Sequence, residues 1–438
     1  MPKKFNNEEL VFKIRLLLKQ KAGISAKAIC HELLISQATF SRLMTKIPDV
    51  LKIGRARSLQ YALRRKIADV GEVVPLYEIQ KDGKETLLAK LHAVYPRGFY
   101  LEGVANSAQS KIYGDLPFFL DDLRPSGFLG RLIPRAHPEL GLPHDIRSWT
   151  ADHSLNYLVR LGWNEVGNFI LGNQAFILHQ KQTRLKQQDV SASEYPKLAQ
   201  EILLKGNAGS SAEGEQPKFF VPERGLFVKF SPAVRDNLSQ RVADLLVSEH
   251  LVHETLNEFG MNAISSKIVQ ENNQIFLEME RFDREGKGRR GIISLRAMNA
   301  EFVGKPGRWS EVCEALVGLR IISQEIHAKT MRVELFGQMI ANTDMHEGNL
   351  SFYFENLKCG DLAPVYDMLP MHYAPQQNQL IEREWEWPLP LPEQKEDWIW
   401  AHQAALVFWG KIRMENRISK EFREIAAQNY KKGKALEI

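Results

Sequence analysis

Asp344 and Asn349 stand five residues apart in Asn342-Thr343-Asp344-Met345-His346-Glu347-Gly348-Asn349, and Asp367 follows Asp344 by 23 residues. On one loop, a carboxylate and a carboxamide at that spacing can share the work of phosphoryl transfer. The carboxylate accepts the proton of an attacking hydroxyl, and the amide oxygen, a neutral hard ligand, holds magnesium. Asp367, in Tyr366-Asp367-Met368, can add a second carboxylate to the magnesium site. Asparagines and aspartates also cap helices, so the pair alone leaves both readings open.

Two further segments bear on the same chemistry. Lys229 lies inside Gly225-Leu226-Phe227-Val228-Lys229-Phe230, an otherwise apolar, strand-like run. A lysine there needs a partner, or its stranded charge costs several kcal/mol. Nucleotide phosphates are one partner, and Glu249, on a helix expected over about 242–259, is another. The third outcome is that Lys229 snorkels to solvent at a sheet edge. In Gly206-Asn207-Ala208-Gly209-Ser210-Ser211-Ala212-Glu213-Gly214 the small residues let backbone N–H groups approach phosphates closely. A flexible loop has the same composition. Strand lysine, helix glutamate, Asp-x4-Asn and late aspartate follow one another in the order used by protein kinases.

To position those groups the chain has more than one core's worth of residues. At 438 residues it exceeds the ~250–300 at which single cores stop growing, so two or three domains are expected. Its 44% hydrophobic and 25% charged residues exclude wholesale disorder. No apolar run reaches the ~18 residues of a membrane span. The apolar stretch at 10–18 is interrupted by Lys13 and Arg15, so a signal peptide is not expected. Cys30, Cys313 and Cys359 lie far apart with no C-x-x-C spacing, and read as thiols of a reducing cytoplasm.

Charge is unevenly spread. Residues 1–66 hold fifteen lysines and arginines against four acidic residues, a net +11, which leaves −6 for the remainder. Such a head suits an anionic partner. Leu10, Ile14, Leu17 and Leu18 recur at helical spacing, Ser25 begins a second short helix, and Ser36 begins a third with Phe40, Leu43, Met44 and Ile47 inward. The outward face of the third helix presents Gln37, Ser41, Arg42 and Thr45, candidate readers of double-stranded DNA. A hairpin follows, with Arg55 and Arg57 at its tip, and the whole reads as a winged helix-turn-helix. Some such heads bind protein instead; the two tip arginines and the net charge favour DNA.

Beyond residue 72 the pattern predicts strands over 86–94 and 98–104, a helix over 153–161 and a strand over 168–171. Gln- and Lys-rich 180–188 reads as an exposed loop, and 385–400 as an irregular packed loop. From about residue 285 helical signals dominate. The expected division is 1–66 for the DNA-binding head, 72–284 for an α/β lobe with the nucleotide loop, and 285–438 for a mainly helical lobe.

Five ordered segments resemble the HipA family of serine/threonine kinase toxins. They are Ser211-Ala212-Glu213-Gly214-Glu215-Gln216-Pro217-Lys218, Phe227-Val228-Lys229-Phe230-Ser231-Pro232, Glu280-Arg281-Phe282-Asp283-Arg284, the Asn342 to Asn349 segment, and Pro364-Val365-Tyr366-Asp367. The chain is most similar to solitary members that carry their own DNA-binding head. The resemblance implies an α+β, two-lobed kinase-like fold, and transfer of the ATP γ-phosphoryl group to serine or threonine of a protein with magnesium. It implies that Lys229 meets the ATP phosphates with Glu249 as its ion-pair partner, and that the backbone of Glu280, Arg281 and Phe282 holds adenine. Gly214 and His346 are placed with the ATP-binding residues. Asp344 becomes the catalytic base, Asn349 and Asp367 the magnesium ligands, Ser211 the autophosphorylated serine and Lys218 the motif's closing lysine. The head would stand in for the family's separate antitoxin. Glu213 and Glu215 depart from the pattern by bringing negative charge to a phosphate-binding loop. The rival reading is a DNA-binding transcriptional regulator whose kinase-like body senses nucleotide or serves as scaffold; a scaffold has no need of Lys229, Asp344, Asn349 and Asp367.

Overall fold

A computed structural model describes residues 6–105, 108–184, 190–206 and 216–436, apart from the side chains of Arg57, Lys205 and Glu223. The chain forms two compact units, Met1–Arg124 with Arg147–Arg184, and Pro125–Ile146 with Leu185–Ile438. These units are divided at 124/125, 146/147 and 184/185, a partition by compactness that is distinct from the expected functional division at 66–72 and 284.

The first unit opens with three helices, Asn7–Gln20, Ala26–Leu33 and Gln37–Met44. Each has a polar side chain receiving a first-turn N–H: Asn6 takes that of Glu9, Ser25 that of Ala28 and Ser36 that of Thr39. Leu10, Ile14, Leu18, Ile29, Phe40 and Leu43 close a small core. Strands Val50–Ile53 and Gln60–Leu63 form the hairpin, and Ile24–Ser25 pairs on the free side of the second strand. This hairpin also belongs to the layer beyond it. Leu51, Ile53 and Ala62 share a core with Val94 and Tyr100, and the Tyr95 N–H donates to the Leu63 carbonyl at 3.0 Å.

That layer is a five-stranded antiparallel sheet in the order Lys111–Tyr113, Phe99–Gly103, Glu85–Ala93, Val74–Ile79, Phe169–Leu171. Helices Ala151–Leu161 and Asn173–Arg184 pack on its last strand. The two predicted strands and the first helix lie within a residue or two of their expected bounds. Residues 180–184, expected in a loop, are helical instead. Ala175 and His179 bury one stripe of that helix, so its outward face tolerates Gln180, Lys181 and Gln182. Residues 185–189 lie outside the described residues.

The second unit has a four-stranded antiparallel sheet in the order Ser266–Glu271, Gln274–Glu280, Leu226–Phe230, Lys218–Val221. One face packs Phe219, Val221, Leu226, Val228, Phe230 and Phe276 against Tyr195. The opposite face carries the long helix Asn237–Glu258, whose first turn is capped by Asp236. The later half of the chain is less purely helical than its pattern implied, because Ile292–Ser294, Ser351–Glu355 and Lys358–Leu362 make a second small sheet. Helices Trp309–Gly318, Gln324–Met339, Lys395–Met414 and Lys420–Lys434 fill the rest, around fully buried Phe336, Trp398, Phe408, Trp409 and Phe422. The irregular loop expected over 385–400 therefore ends early. Trp398 and Trp400 stand on the helix from Lys395, and the Trp398 indole N–H donates to the Pro388 carbonyl at 2.9 Å. Among the described residues no helix is long and apolar enough to cross a membrane.

Candidate active site

Lys229 occupies the middle strand register, opposite Lys218 on one side and Leu277 on the other. Alternation along the strand sends Val228 and Phe230 into the aromatic core and Lys229 to the helix-bearing face. There its ammonium donates to both Glu249 oxygens at 2.7 and 2.9 Å and to Asp367 Oδ1 at 2.6 Å. Lys229 is only 4% exposed, so snorkelling is excluded and a carboxylate partner is chosen. Burial alone would pull the lysine down, but Asp367 and Glu249 outweigh it and hold Lys229 above its ordinary value. Lys229 in turn holds Asp367 well below the usual carboxylate range. Glu249 behaves oppositely: it is fully buried, and burial lifts it above its ordinary value despite the same lysine.

Asp344 follows the helix Gln324–Met339 on a loop anchored along its length. The Asp344 N–H donates to Asn342 Oδ1 and the Asn349 amide donates to the Asp344 carbonyl, both at 3.0 Å. Trp309 Nε1 donates to the His346 carbonyl at 3.1 Å, Asn299 Nδ2 to Glu347 Oε1 at 2.6 Å and the Tyr366 hydroxyl to the Gly348 carbonyl at 2.9 Å. Gly337 permits this closeness: a Cβ there would lie 2.3 Å from Met345 Sδ. The Asp344 carboxylate itself is exposed and receives no hydrogen bond among the described residues. Partial burial lifts it above the ordinary aspartate value; Asp367 adds to the lift and His346 opposes it. A carboxylate so placed is free to accept a proton.

Asp367 sits in left-handed backbone, φ 53°, an arrangement uncommon for a residue with a side chain. Neighbouring pairings impose it. The Val365 N–H donates to the Asn262 carbonyl at 2.9 Å, the Tyr366 ring stacks on Phe282 at 5.7 Å, and Met368 is buried. The turn leaves the Asp367 side chain 39% exposed, with only Oδ1 on Lys229. The Asn349 amide nitrogen is engaged with the Asp344 carbonyl, so its oxygen is the atom that could bind a cation. Among the described residues no group of three His, Cys, Asp or Glu could hold a metal by itself. By donor type, the oxygens of Asn349 and Asp367 are hard ligands of the kind that would suit magnesium.

The remaining sequence expectations divide. The Glu280 N–H donates to the Ser265 carbonyl and the Arg281 N–H to the Gly225 carbonyl, at 3.0 and 2.9 Å. The Arg281 guanidinium is bound to Asp283 at 2.9 and 2.7 Å and lies over the Phe220 and Phe227 rings. The Arg281 side chain is thus committed to the sheet end, whereas the part expected of this segment falls to its backbone. His346 Nδ1 receives the Gly348 N–H at 3.1 Å, so that ring nitrogen shapes the loop. Ser211 and Gly214, with Glu213 and Glu215, lie outside the described residues. Gln37, Ser41, Arg42 and Thr45 are all exposed along the third helix, and Arg55 is exposed at the hairpin tip beside Arg57. Lys46 and Lys52, which the helix-face argument passed over, are exposed as well. Their basic character in the +11 head was the available signal.

Residues 70–179 match the middle domain of YjjJ-like toxins, and 210–431 match the HipA-like C-terminal domain. The chain is 36% identical to "Toxin YjjJ" of Escherichia coli (strain K12) over 426 residues, which is 94% of this chain and 95% of that one. Among solved structures it is similar to a chain of the Shewanella oneidensis MR-1 toxin–antitoxin complex of HipA, HipB and operator DNA. That match has a TM-score of 0.52 at 15% identity, covering 82% of this chain and 95% of that one, a likeness of fold. A chain of the Helicobacter pylori proinflammatory kinase CtkA aligns over 50% of this chain and 90% of its own, with a TM-score of 0.35 at 13% identity.

Proposed function

The chain belongs to the HipA-like toxins, in their YjjJ-like group, and from that premise we propose that it is an ATP-dependent serine/threonine protein kinase with a DNA-binding head. The observation that carries the reading is the Lys229 grip on both Glu249 and Asp367, with the exposed Asp344 carboxylate as the candidate base. Burying a lysine between two carboxylates is a weak source of stability, which favours a functional reason for it.

Each group has a part. Asp344 takes the proton of the attacking serine or threonine hydroxyl at its carboxylate. Lys229, steadied by Glu249, presents its ammonium to the phosphates of ATP. Asn349 and Asp367 would hold magnesium, which when bound neutralises charge between the β- and γ-phosphates. Because Asp367 and phosphate both seek Lys229, ligand binding loosens the Lys229–Asp367 contact. The backbone of Glu280, Arg281 and Phe282 would meet adenine, with the Phe282 ring stacked against Tyr366. Self-phosphorylation at Ser211 belongs to the same reading.

Residues 1–66 are read as a winged helix-turn-helix that binds duplex DNA and takes the place of a separate antitoxin. The parts 72–284 and 285–438 grip the nucleotide and carry the catalytic loop. Three unpaired cysteines agree with a cytoplasmic protein. Labelled ATP and magnesium given to the purified chain, with mass spectrometry of the phosphosites, test the assignment. Asp344→Asn should lower transfer by about 10³-fold or more. Undiminished transfer by that variant would overturn the reading.

A further inference from the structure

The helix that supplies Glu249 touches its sheet at a second polar point, which the proposed chemistry leaves unused. Ser266 Oγ lies 3.0 Å from His250 Nδ1 and 2.9 Å from His253 Nδ1. Glu249, His250 and His253 share the helix Asn237–Glu258, while Ser266 begins the strand Ser266–Glu271. Lys229 pairs with Leu277, and Leu277 with Ile268. Cross-strand partners share a face and residues two apart share it too, so Ser266 and Lys229 lie on the same side of the sheet. Two strands across and two residues along put them roughly 12 Å apart. A helix fastened at two points so far apart is not free to rotate about its axis.

The protons of this cluster can be assigned. Burial lowers both histidines, His253 to about 3, so each ring is neutral and carries one N–H. His250 Nε2 lies 3.4 Å from Glu254 Oε1. A bare lone pair facing a carboxylate is repulsive, so the His250 hydrogen is on Nε2. Its Nδ1 then receives the Ser266 hydroxyl hydrogen, and the Ser266 oxygen receives the N–H of His253 Nδ1. His253 Nε2 is left as an acceptor with no partner among the described residues, buried on the helix face of Glu249. Buried acceptors without partners are tolerated better than buried donors. The chain Glu254–His250–Ser266–His253 therefore has a single consistent sense.

We propose that Ser266, acting through His250 and His253, is a positioning group for phosphoryl transfer, setting the rotation of the helix so that Glu249 meets Lys229. The inference rests on the kinase reading above and adds residues to its site. Displacement of a catalytic group by about 1 Å can cost ~10²-fold in rate. Ser266→Ala should accordingly lower kcat/KM for ATP by about 10- to 10²-fold and weaken magnesium–ADP binding measured by calorimetry. Ser266→Thr keeps the hydroxyl, and His253→Asn keeps a donor where Nδ1 stands, so each by itself should retain most of the parent's activity. In a Glu249→Gln background Ser266→Ala should cost little more, since both act on one contact. Parent-like kinetics and ADP affinity in Ser266→Ala would overturn the proposal, as would a full additional loss in the Glu249→Gln background. Nitrogen-15 spectra of the full-length protein keep the two readings apart. A parent that transfers no phosphoryl group sinks the kinase reading. The clamp still stands if His253 shows a protonated Nδ1 that Ser266→Ala abolishes, and falls if His253 is protonated on Nε2.

Discussion

A buried lysine between two carboxylates makes a strong statement about what happens when any one of them is changed. Lys229→Met leaves Glu249 ionised and wholly buried, at a cost of up to about 3–5 kcal/mol, or else protonates it. Replacing both, Lys229→Met with Glu249→Leu, should recover most of that stability while nucleotide binding stays lost. Chemical denaturation of the three proteins checks this, and a double variant no firmer than the single one would contradict it. Asp367 gives a pH-dependent counterpart. Its folded value lies below the unfolded aspartate value, so its stabilisation is present above about pH 4 and is lost as pH falls through the folded value. The parent should therefore lose thermal stability below about pH 4, and Asp367→Asn should show a shallower acid slope over that window. Being 39% exposed, Asp367 contributes less than its shift alone would suggest.

Among elements, the hairpin Val50–Ile53/Gln60–Leu63 has two allegiances, to the three helices before it and to the five-stranded sheet after it. Leu51 and Ala62 bury against Val94 and Tyr100, and Arg65 pairs with Asp152 while its guanidinium lies over the Phe99 ring. Deleting residues 1–66 to test DNA binding would strip that sheet of its cover. Leu51→Ala alone should cost about 2–5 kcal/mol and depress the melting temperature of the full chain. Surface substitutions are the cleaner test of the head. Arg55→Ala with Arg57→Ala should weaken duplex DNA binding with little change in sequence preference. It should also reduce the magnitude of the log–log salt slope by about 2, because a hairpin tip meets backbone phosphates. Fluorescence anisotropy across salt concentrations measures both, and an unchanged slope would point to a protein-binding head.

At the scale of the whole molecule, much was legible from local signals. Helix starts at Ser25 and Ser36, the inward stripe Phe40–Leu43–Met44, and strands at 85–93 and 99–103 follow from capping chemistry and periodicity, which act within a few residues. The order of Lys229, Glu249, Asp344, Asn349 and Asp367 was equally readable, since residue type and spacing along the chain suffice for it. Other features belong to tertiary structure alone. That Lys229 selects both carboxylates over solvent depends on contacts 20 and 138 residues away. The left-handed turn at Asp367 and the seating of the Arg281 guanidinium over the Phe220 and Phe227 rings arise from pairings that no local pattern encodes. The Ser266 contacts with His250 and His253 were invisible for the same reason: strand register decides which hydroxyl faces which ring. Composition and spacing by themselves determined which groups exist and what chemistry they can perform. Only the packing of helix on sheet decided which of them meet.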